Sequence, residues 1–482
     1  MFGKKSNFIN GAWVEGEGEI ININPSDTND VIDTYSNASS KQLNEAVSAA
    51  QKAQKDWEKV GIEKRANILH DIGNELIKQS KEIGTLLSRE EGKTLPEGIG
   101  EVIRSGQQFQ YYAASALRQF GENIASTREG VSVEMTREPV GVCGIISPWN
   151  FPIAIAAWKS APAMAFGNAV VLKPASQTPA SAIALTKIIS DQKDIPDGLF
   201  NLVLGGGGTI GQQISGHKDI NAISFTGSVG VGQTIYMEAA KSMKKMQLEM
   251  GSKNPLVVMD DADLDIAVAC ATNGAYGGTG QKCTASSRLI VHEKVYKEFI
   301  EKLIENLKGL KVGHALEEGS QMGPVSSETQ LHSNLDYIEI GKKEAKLAYG
   351  GNPMNMRTPG HYMEPTLFID GNNKTTINQE EMFGPIACVI PVKSYEEGLE
   401  VANDTIFGLS SGIITQSLSK AADFKKNIKT GVTTVNLPTA GLDYHVPFGG
   451  RKASSFGPRE QGTYAHEFFT HVKTTYVSPG KI

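Results

Sequence analysis

Residues 169–211 read AVVLKPASQTPASAIALTKIISDQKDIPDGLFNLVLGGGGTIG, and the order of patterns in them decides the class of fold. An apolar, β-branched run (Ala169–Leu172) stops at a lysine–proline pair. A helical stretch (Ser181–Ser190) follows, and a second apolar run (Phe200–Leu204) ends in four glycines. Short buried strands alternating with helices are the signature of a parallel sheet covered on its faces by helices. The alternation continues with a strand at Ile223–Phe225 and a helix after Gly227. Each strand ends in small or glycine-rich sequence, at the edge where such sheets hold ligands.

Working upstream, VSVEMTREPVGVCGIIS (131–147) reads as strand, whereas the first 120 residues read mainly as helix. Ser40 is placed to cap a helix carrying Leu43, Val47, Ala50 and Trp57 on one face. Further helical regions are expected from about Lys64 to Glu91 and over a stretch that includes Glu101 to Arg118. Downstream of Pro255 the alternation restarts: strand LVVMD, helix Asp265–Tyr276, strand SRLIVHE, helix Val295–Leu307, strand Ala387–Pro391 and helix Glu396–Asn403. The expected fold is therefore α/β, with two doubly wound, Rossmann-like units meeting near residue 250. Val131–Thr136 and Thr470–Val477 alternate but belong to neither unit, and read as pairing strands of a small β appendage used for oligomerisation.

Bulk properties exclude several classes. A chain of 482 residues needs two or three substructures. A formal net charge of −6 gives no electrostatic case for nucleic acid or an anionic membrane. No apolar run is long enough to span a bilayer, and MFGKKSNFINGAW lacks the apolar core of a secretory signal. Cys143, Cys270, Cys283 and Cys388 show no CxxC spacing, which suits reduced thiols in the cytoplasm, with no metal site.

Five segments are candidates for chemistry. Cys283 lies in GGTGQKCTASSR (277–288), whose small residues leave room beside a nucleophilic thiol, although a buried packing cysteine fits the same segment. Glu249 in MQLEMGSKNP (246–255) is a carboxylate in apolar company. Its charged form is disfavoured there, as suits a general base; the alternative is a surface glutamate at a strand end. Asn150 in SPWNFP (147–152) sits between two prolines, either as a fixed donor to an oxyanion or as an Asx-turn residue. Gly227, Ser228 and Gly232 in SFTGSVGVG (224–232) form a strand–turn–helix layout suited to a pyrophosphate, as does GGGGTIG (205–211); either could be only a tight βα connection. Lys173 and Ser176 in VVLKPASQTP stand at another strand's carboxyl end, where they could hold a ribose or its 2′-phosphate or be ordinary surface residues.

Taken in order, SPWNFP, KPASQTP, FTGSVGVG, LEMGSKNP, GQKC, EMFGP and PFGGRKASSFGPRE resemble landmarks of the aldehyde dehydrogenase superfamily over nearly the whole chain, from about residue 8 to 476. The resemblance implies a nucleophile (Cys283), an oxyanion donor (the Asn150 side chain with the Cys283 N–H) and a base that activates water against a thioester (Glu249). It implies cofactor contacts at Trp149, Lys173, Ser176, Gly211, Gly227, Ser228, Gly232, Glu381 and Phe383. Many members carry glutamate where Ser176 stands. Serine removes the repulsion of a 2′-phosphate, so NADP is expected to be preferred, with NAD still accepted. The implied division is 1–122 and 142–251 for NAD(P) binding and 252–435 for the nucleophile. Segments 123–141 and 468–482 supply oligomerisation strands, and 436–467 a substrate-tunnel loop. A homodimer or homotetramer is expected.

For the aldehyde, VNLPTAGLDYHVPFGGRKASSFGPREQG (435–462) and NFPIAIAAWKSAPAMAFGN (150–168) are similar to 2-oxoglutarate semialdehyde (2,5-dioxopentanoate) dehydrogenases. The nearest competitor, succinate-semialdehyde dehydrogenase, usually has arginine where Trp158 stands. Arg104 and Gln107, one turn apart on an expected helix, are candidates to hold a substrate carboxylate, with Trp158 nearby and Tyr444 or His445 at the far wall. Arg104 is equally readable as a solvated helix arginine. A cofactor-independent thioesterase or esterase, a CoA-acylating dehydrogenase and a non-catalytic descendant of the fold remain alternatives.

Overall fold

The computed structural model describes residues 3–118 and 121–480. Residues 1, 2, 119, 120, 481 and 482, which belong to the expected segments 1–122 and 468–482, lie outside the described residues.

The first sheet is built around Val142–Ile146, whose five residues are all buried. Ala169–Lys173 and Phe200–Leu202 add in parallel on one side of it, and Ala222–Thr226 and Lys245–Glu249 on the other. The chain starts in the middle, winds one way, then returns and winds the other. A crevice therefore opens at the carboxyl ends of Val142–Ile146 and Ala222–Thr226. Asn150 and Gly227 directly follow those two ends. Antiparallel strands close the sheet: Asn7–Ile9 and Ala12–Val14 at one edge, and Ser455–Phe456 at the other, where Ser455 stands opposite Glu249.

The second sheet has the order Lys346–Tyr349, Thr366–Ile369, Ile386–Val392, Arg288–His292, Pro255–Val258, Ser410–Ile414, Val432–Val435, parallel except for its first strand. One apolar core gathers residues between Phe8 and Met250 together with Ala465, Phe468 and Phe469; separate clusters gather those between Leu256 and Ile428. The two doubly wound α/β units thus have their own interiors. A third sheet joins Thr470–Val477 to Ser132–Pro139 and then to Glu122–Ala125, all antiparallel.

Several element expectations need correction. Residues 7–37 are strands, including the hairpin Glu17–Asn24/Asp27–Asn37. Its alternation is inside out: Asn22 and Asn24 are buried while Ile21 and Ile23 are 60 % and 41 % exposed. Asn22 Nδ2 donates to the Gln177 carbonyl at 3.0 Å, so polar side chains fill the inward positions. The first helix, Ser40–Lys59, is capped by Ser39, which forms a capping box with Gln42. The expected helix 64–91 is two helices, Ile62–Lys78 and Ser80–Glu91, parted at Gln79 (φ −91°, ψ 10°). The helix expected to include Glu101 to Arg118 starts at Leu95, behind a Thr94/Glu97 capping box, and ends at Ala116, short of Arg118. Segment 131–147 divides into two strands serving different sheets, the turn being made by Gly141 at φ +118°.

Candidate active site

Cys283 follows the helix Leu264–Tyr276 and a turn in which Gly278, Thr279 and Gly280 all have positive φ. A side chain at Gly280 would collide with the Gly384 carbonyl, so only glycine lets the turn close there. Asn254 Nδ2 pins the turn, donating to the carbonyls of Cys283 (2.8 Å) and Ala285 (2.9 Å). Cys283 is the one partly exposed cysteine; Cys143, Cys270 and Cys388 are buried. Desolvation and the charges of Glu381, Glu249 and Glu460 push its thiol well up, so it rests as the neutral thiol and needs help to ionise.

Asn150 comes from the other sheet. Its Nδ2 donates to the Gln281 carbonyl at 2.9 Å, and Lys93 Nζ donates to its backbone carbonyl at 2.7 Å. Lys93 is in turn held by Glu101 at 2.6 Å, and Glu101 accepts from the Ile153 and Ala154 amides. The carboxamide is thus fixed beside the turn that carries the thiol, and both residues line one cavity of about 380 Å³.

Glu249 ends its strand buried, 3 % exposed. Ser455 Oγ donates to its Oε2 at 2.5 Å, and the carboxyl lies over Gly449, where a β-carbon would stand 2.7 Å from Oε1. Burial, then repulsion from Glu460, raises its pKa well above the ordinary carboxylate range, and Ser455 pulls part of the way back. Glu460 is itself buried in an ion pair with Lys159. Glu249 is not among the residues lining the cavity; it is coupled to Cys283 through charge.

The expected cofactor residues come from segments that end or follow strands of the first sheet, except Glu381 and Phe383, which precede the strand Ile386–Val392 of the second. Trp149 and Phe383 meet edge to face with centroids 5.3 Å apart, Phe383 at φ +55°. Glu381 Oε1 accepts from the Ser252 amide at 2.8 Å, and burial raises its carboxyl to about 7. Lys173 Nζ is buried, donates to the Pro174 carbonyl at 2.7 Å, and is lowered to about 8 by desolvation. Ser176 Oγ donates to the Gly205 carbonyl at 3.3 Å, and Gly211 packs against the Lys173 stem. Ser228 caps the helix Val229–Ala240 without spending its hydroxyl on the cap, while side chains at Gly227 and Gly232 would strike Phe225 and Met250. These free helix-terminal amides and close-packed glycines fit a dinucleotide phosphate.

Arg104 and Trp158 line the Cys283 cavity, but Gln107 and Tyr444 are not among its lining residues. Gln107 is one position short of the inward helix face. Its neighbour Gln108 is buried and donates to the Tyr444 carbonyl and to Gln461 Oε1, both at 3.0 Å. Tyr444 gives that carbonyl and stacks its ring edge to face on Tyr111, and His445 is exposed. Gln461, Lys93, Glu101 and the Lys159–Glu460 pair were not singled out from sequence. Gln461 and Glu460 end the PFGGRKASSFGPREQ run, the one signal that could have drawn notice to them.

Two wound sheets that bring a thiol, a carboxamide and a buried carboxylate to their junction define a class of dehydrogenase. The Aldehyde dehydrogenase family model matches residues 13–475, and the chain belongs to that family. It is accordingly a nicotinamide-dependent oxidoreductase acting on aldehydes. It is 42 % identical over 480 residues to the alpha-ketoglutaric semialdehyde dehydrogenase of Bacillus subtilis strain 168, covering 98 % of each chain. Betaine aldehyde dehydrogenase from Staphylococcus aureus in complex with NAD+ superposes with a TM-score of 0.96 at 31 % identity, over 99 % of this chain and 96 % of that one. An NADP-dependent enzyme of E. coli gives 0.95 at 31 % identity, over 99 % and 98 %. No helix among the described residues is long and apolar enough to cross a membrane.

Proposed function

We infer that this protein oxidises 2,5-dioxopentanoate to 2-oxoglutarate and prefers NADP. Cys283 gives its thiol proton to water and attacks the aldehyde carbon as the thiolate, and the oxyanion that forms is held by the Asn150 carboxamide and the Cys283 N–H. The nicotinamide, when bound, supplies the acceptor for the aldehyde hydride. Glu249 then takes a proton from water, which attacks the thioester and frees the acid and the Cys283 thiol. A carboxylate with a raised pKa is a stronger base than a solvated one, as this step requires. The unit built around the first sheet holds the cofactor, and 252–435 carries the nucleophile.

The observation that carries the substrate is the state of Arg104. Its guanidinium donates to two neutral acceptors, the Leu442 carbonyl and Gln461 Oε1. Among the described residues no carboxylate lies within ion-pair distance of it, and desolvation lowers its pKa. The charges of Asp443 and Glu101 offset that desolvation in part without pairing with the guanidinium, and a desolvated cation with no ion-pair partner among the described residues beside the nucleophile's cavity suits an anionic substrate end. The name of the Bacillus subtilis relative supports the same aldehyde. For the cofactor, desolvation lowers the Lys173 pKa, and Lys173 forms no ion pair among the described residues that would compete with a 2′-phosphate.

Initial rates at 340 nm with NAD and NADP test both assignments. Wild type is expected to favour NADP, and Ser176→Glu to lower kcat/KM for NADP by at least about tenfold while sparing NAD. Far better kcat/KM with NAD in the wild type would overturn the cofactor assignment. Arg104→Met is expected to lower kcat/KM for carboxylated aldehydes by about a hundredfold, with little effect on an uncharged aldehyde. Equal loss on both would remove the carboxylate role.

A further inference from the structure

Gln461 sits in the substrate cavity in a way that packing alone does not explain. It is 1 % exposed and lines the cavity with Cys283 and Arg104. Its backbone holds φ 59° and ψ 175°, a region that glycine populates and residues with a β-carbon enter under strain. Strain retained at a buried, cavity-lining position points to function.

The hydrogen bonds fix which way the amide faces. Gln461 Oε1 accepts from Gln108 Nε2 at 3.0 Å and from Arg104 Nη2 at 3.4 Å. The guanidinium can only donate, so the atom facing it must be the amide oxygen. Gln461 Nε2 is thereby left as a donor, and it is buried with no partner among the described residues. The indole Nε1 of Trp158, on the same cavity, is also buried and without a partner among the described residues. Buried donors left open are costly, and they are filled when a ligand brings the acceptors.

Resting on the assignment of Arg104 to the substrate carboxylate, we propose that Gln461 determines specificity by donating from Nε2 to the 2-oxo oxygen beside that carboxylate. In a 2-oxo acid the oxo oxygen and a carboxylate oxygen sit on adjacent carbons. Arg104 and Gln461, joined by one hydrogen bond, present a cation and a neutral donor side by side. The charged group takes the carboxylate, and the neutral amide suits the ketone oxygen. A semialdehyde without the oxo group leaves the amide unpaired in a desolvated site, and such sites discriminate strongly against analogues that lack the acceptor.

The test compares 2,5-dioxopentanoate, 5-oxopentanoate and pentanal, which share a carbon chain and lose the oxo group and then the carboxylate. For Gln461→Met, the ratio of kcat/KM on 2,5-dioxopentanoate to that on 5-oxopentanoate is expected to fall about 10- to 100-fold. Gln461→Glu keeps the shape and the oxygen that Gln108 and Arg104 bond but lacks the donor. It is expected to lower the ratio of 2,5-dioxopentanoate to 5-oxopentanoate likewise, which covers the case in which the methionine variant fails to fold. An unchanged ratio between the two acids in a folded variant overturns the proposal. Failure of the carboxylate assignment reads out separately, as wild type using pentanal as well as the acids and Arg104→Met affecting all three alike.

Discussion

The contact between Ser455 and Glu249 shows how one hydroxyl tunes the base. Burial and the Glu460 charge favour the protonated carboxyl, and the 2.5 Å bond from Ser455 opposes them by stabilising the anion. Ser455→Ala removes the opposing influence, so the Glu249 pKa moves further up. The base acts as carboxylate; the acid limb of the kcat–pH profile is therefore expected to move to higher pH. A hydrogen bond to a charged group is worth about 1.5–3 kcal/mol, so turnover near pH 7 should fall about tenfold or more and recover as the pH is raised. A profile of unchanged position, with lower amplitude only, would remove Glu249 from the hydrolytic step. Cys283, Asn150 and Glu249 could be picked out from sequence because each follows a recognisable strand or glycine-rich turn. Gln461 could not, because the partners that orient it, Arg104 and Gln108, are 357 and 353 residues away.

At the scale of elements, the helix Pro179–Ser190 begins without a cap from its own segment: Thr178 makes no side-chain cap bond. The cap comes from Glu90, in the last turn of Ser80–Glu91. Its carboxyl accepts from the Ala180 amide at 2.7 Å, the Ser181 amide at 2.8 Å and Ser181 Oγ at 2.5 Å. An acid at the end of its own helix is opposed by that helix's dipole, and here the start of a second helix offsets the cost. Glu90→Ala is expected to destabilise the first unit by about 2 kcal/mol, read as a lower midpoint in urea unfolding followed by far-ultraviolet circular dichroism. Burial raises the Glu90 pKa from 4.5 to about 7, so the folded state binds a proton that the unfolded state releases between those values. This contribution is complete below pH 4.5 and is lost as the pH rises through about 7. Glu90→Gln should flatten that part of the stability–pH curve, and an unchanged slope would rule the linkage out. Such a cap is invisible to local pattern reading, which also missed the hairpin 17–37: its period of two was present, but with asparagines on the buried face.

For the whole molecule, the parallel sheets were legible because their strands are continuous apolar runs, whereas the third sheet was legible only as segments without a place. Among the described residues its outer strand, Thr470–Val477, has a partner on one side only. Val472, Tyr476 and Val477 on it are 54 %, 60 % and 47 % exposed, and Ile124 on the opposite strand is 47 % exposed. A long edge strand carrying β-branched and aromatic side chains pairs with other chains unless charge or proline blunts it, and this one offers only His471 and Lys473. Lys473 is moreover engaged with Glu138 within the sheet, at 2.7 Å. The edge is thus suited to being covered by another copy of the chain, and a dimer or tetramer is expected from light scattering at micromolar concentration. Thr475→Pro removes a backbone donor from this strand, and Val472→Lys with Tyr476→Lys adds charge to its exposed face. Both changes are expected to lower the mass to that of a smaller assembly while leaving far-ultraviolet circular dichroism unchanged. A wild-type chain that runs as a monomer, or variants whose mass does not change, would show that this edge is not where copies meet.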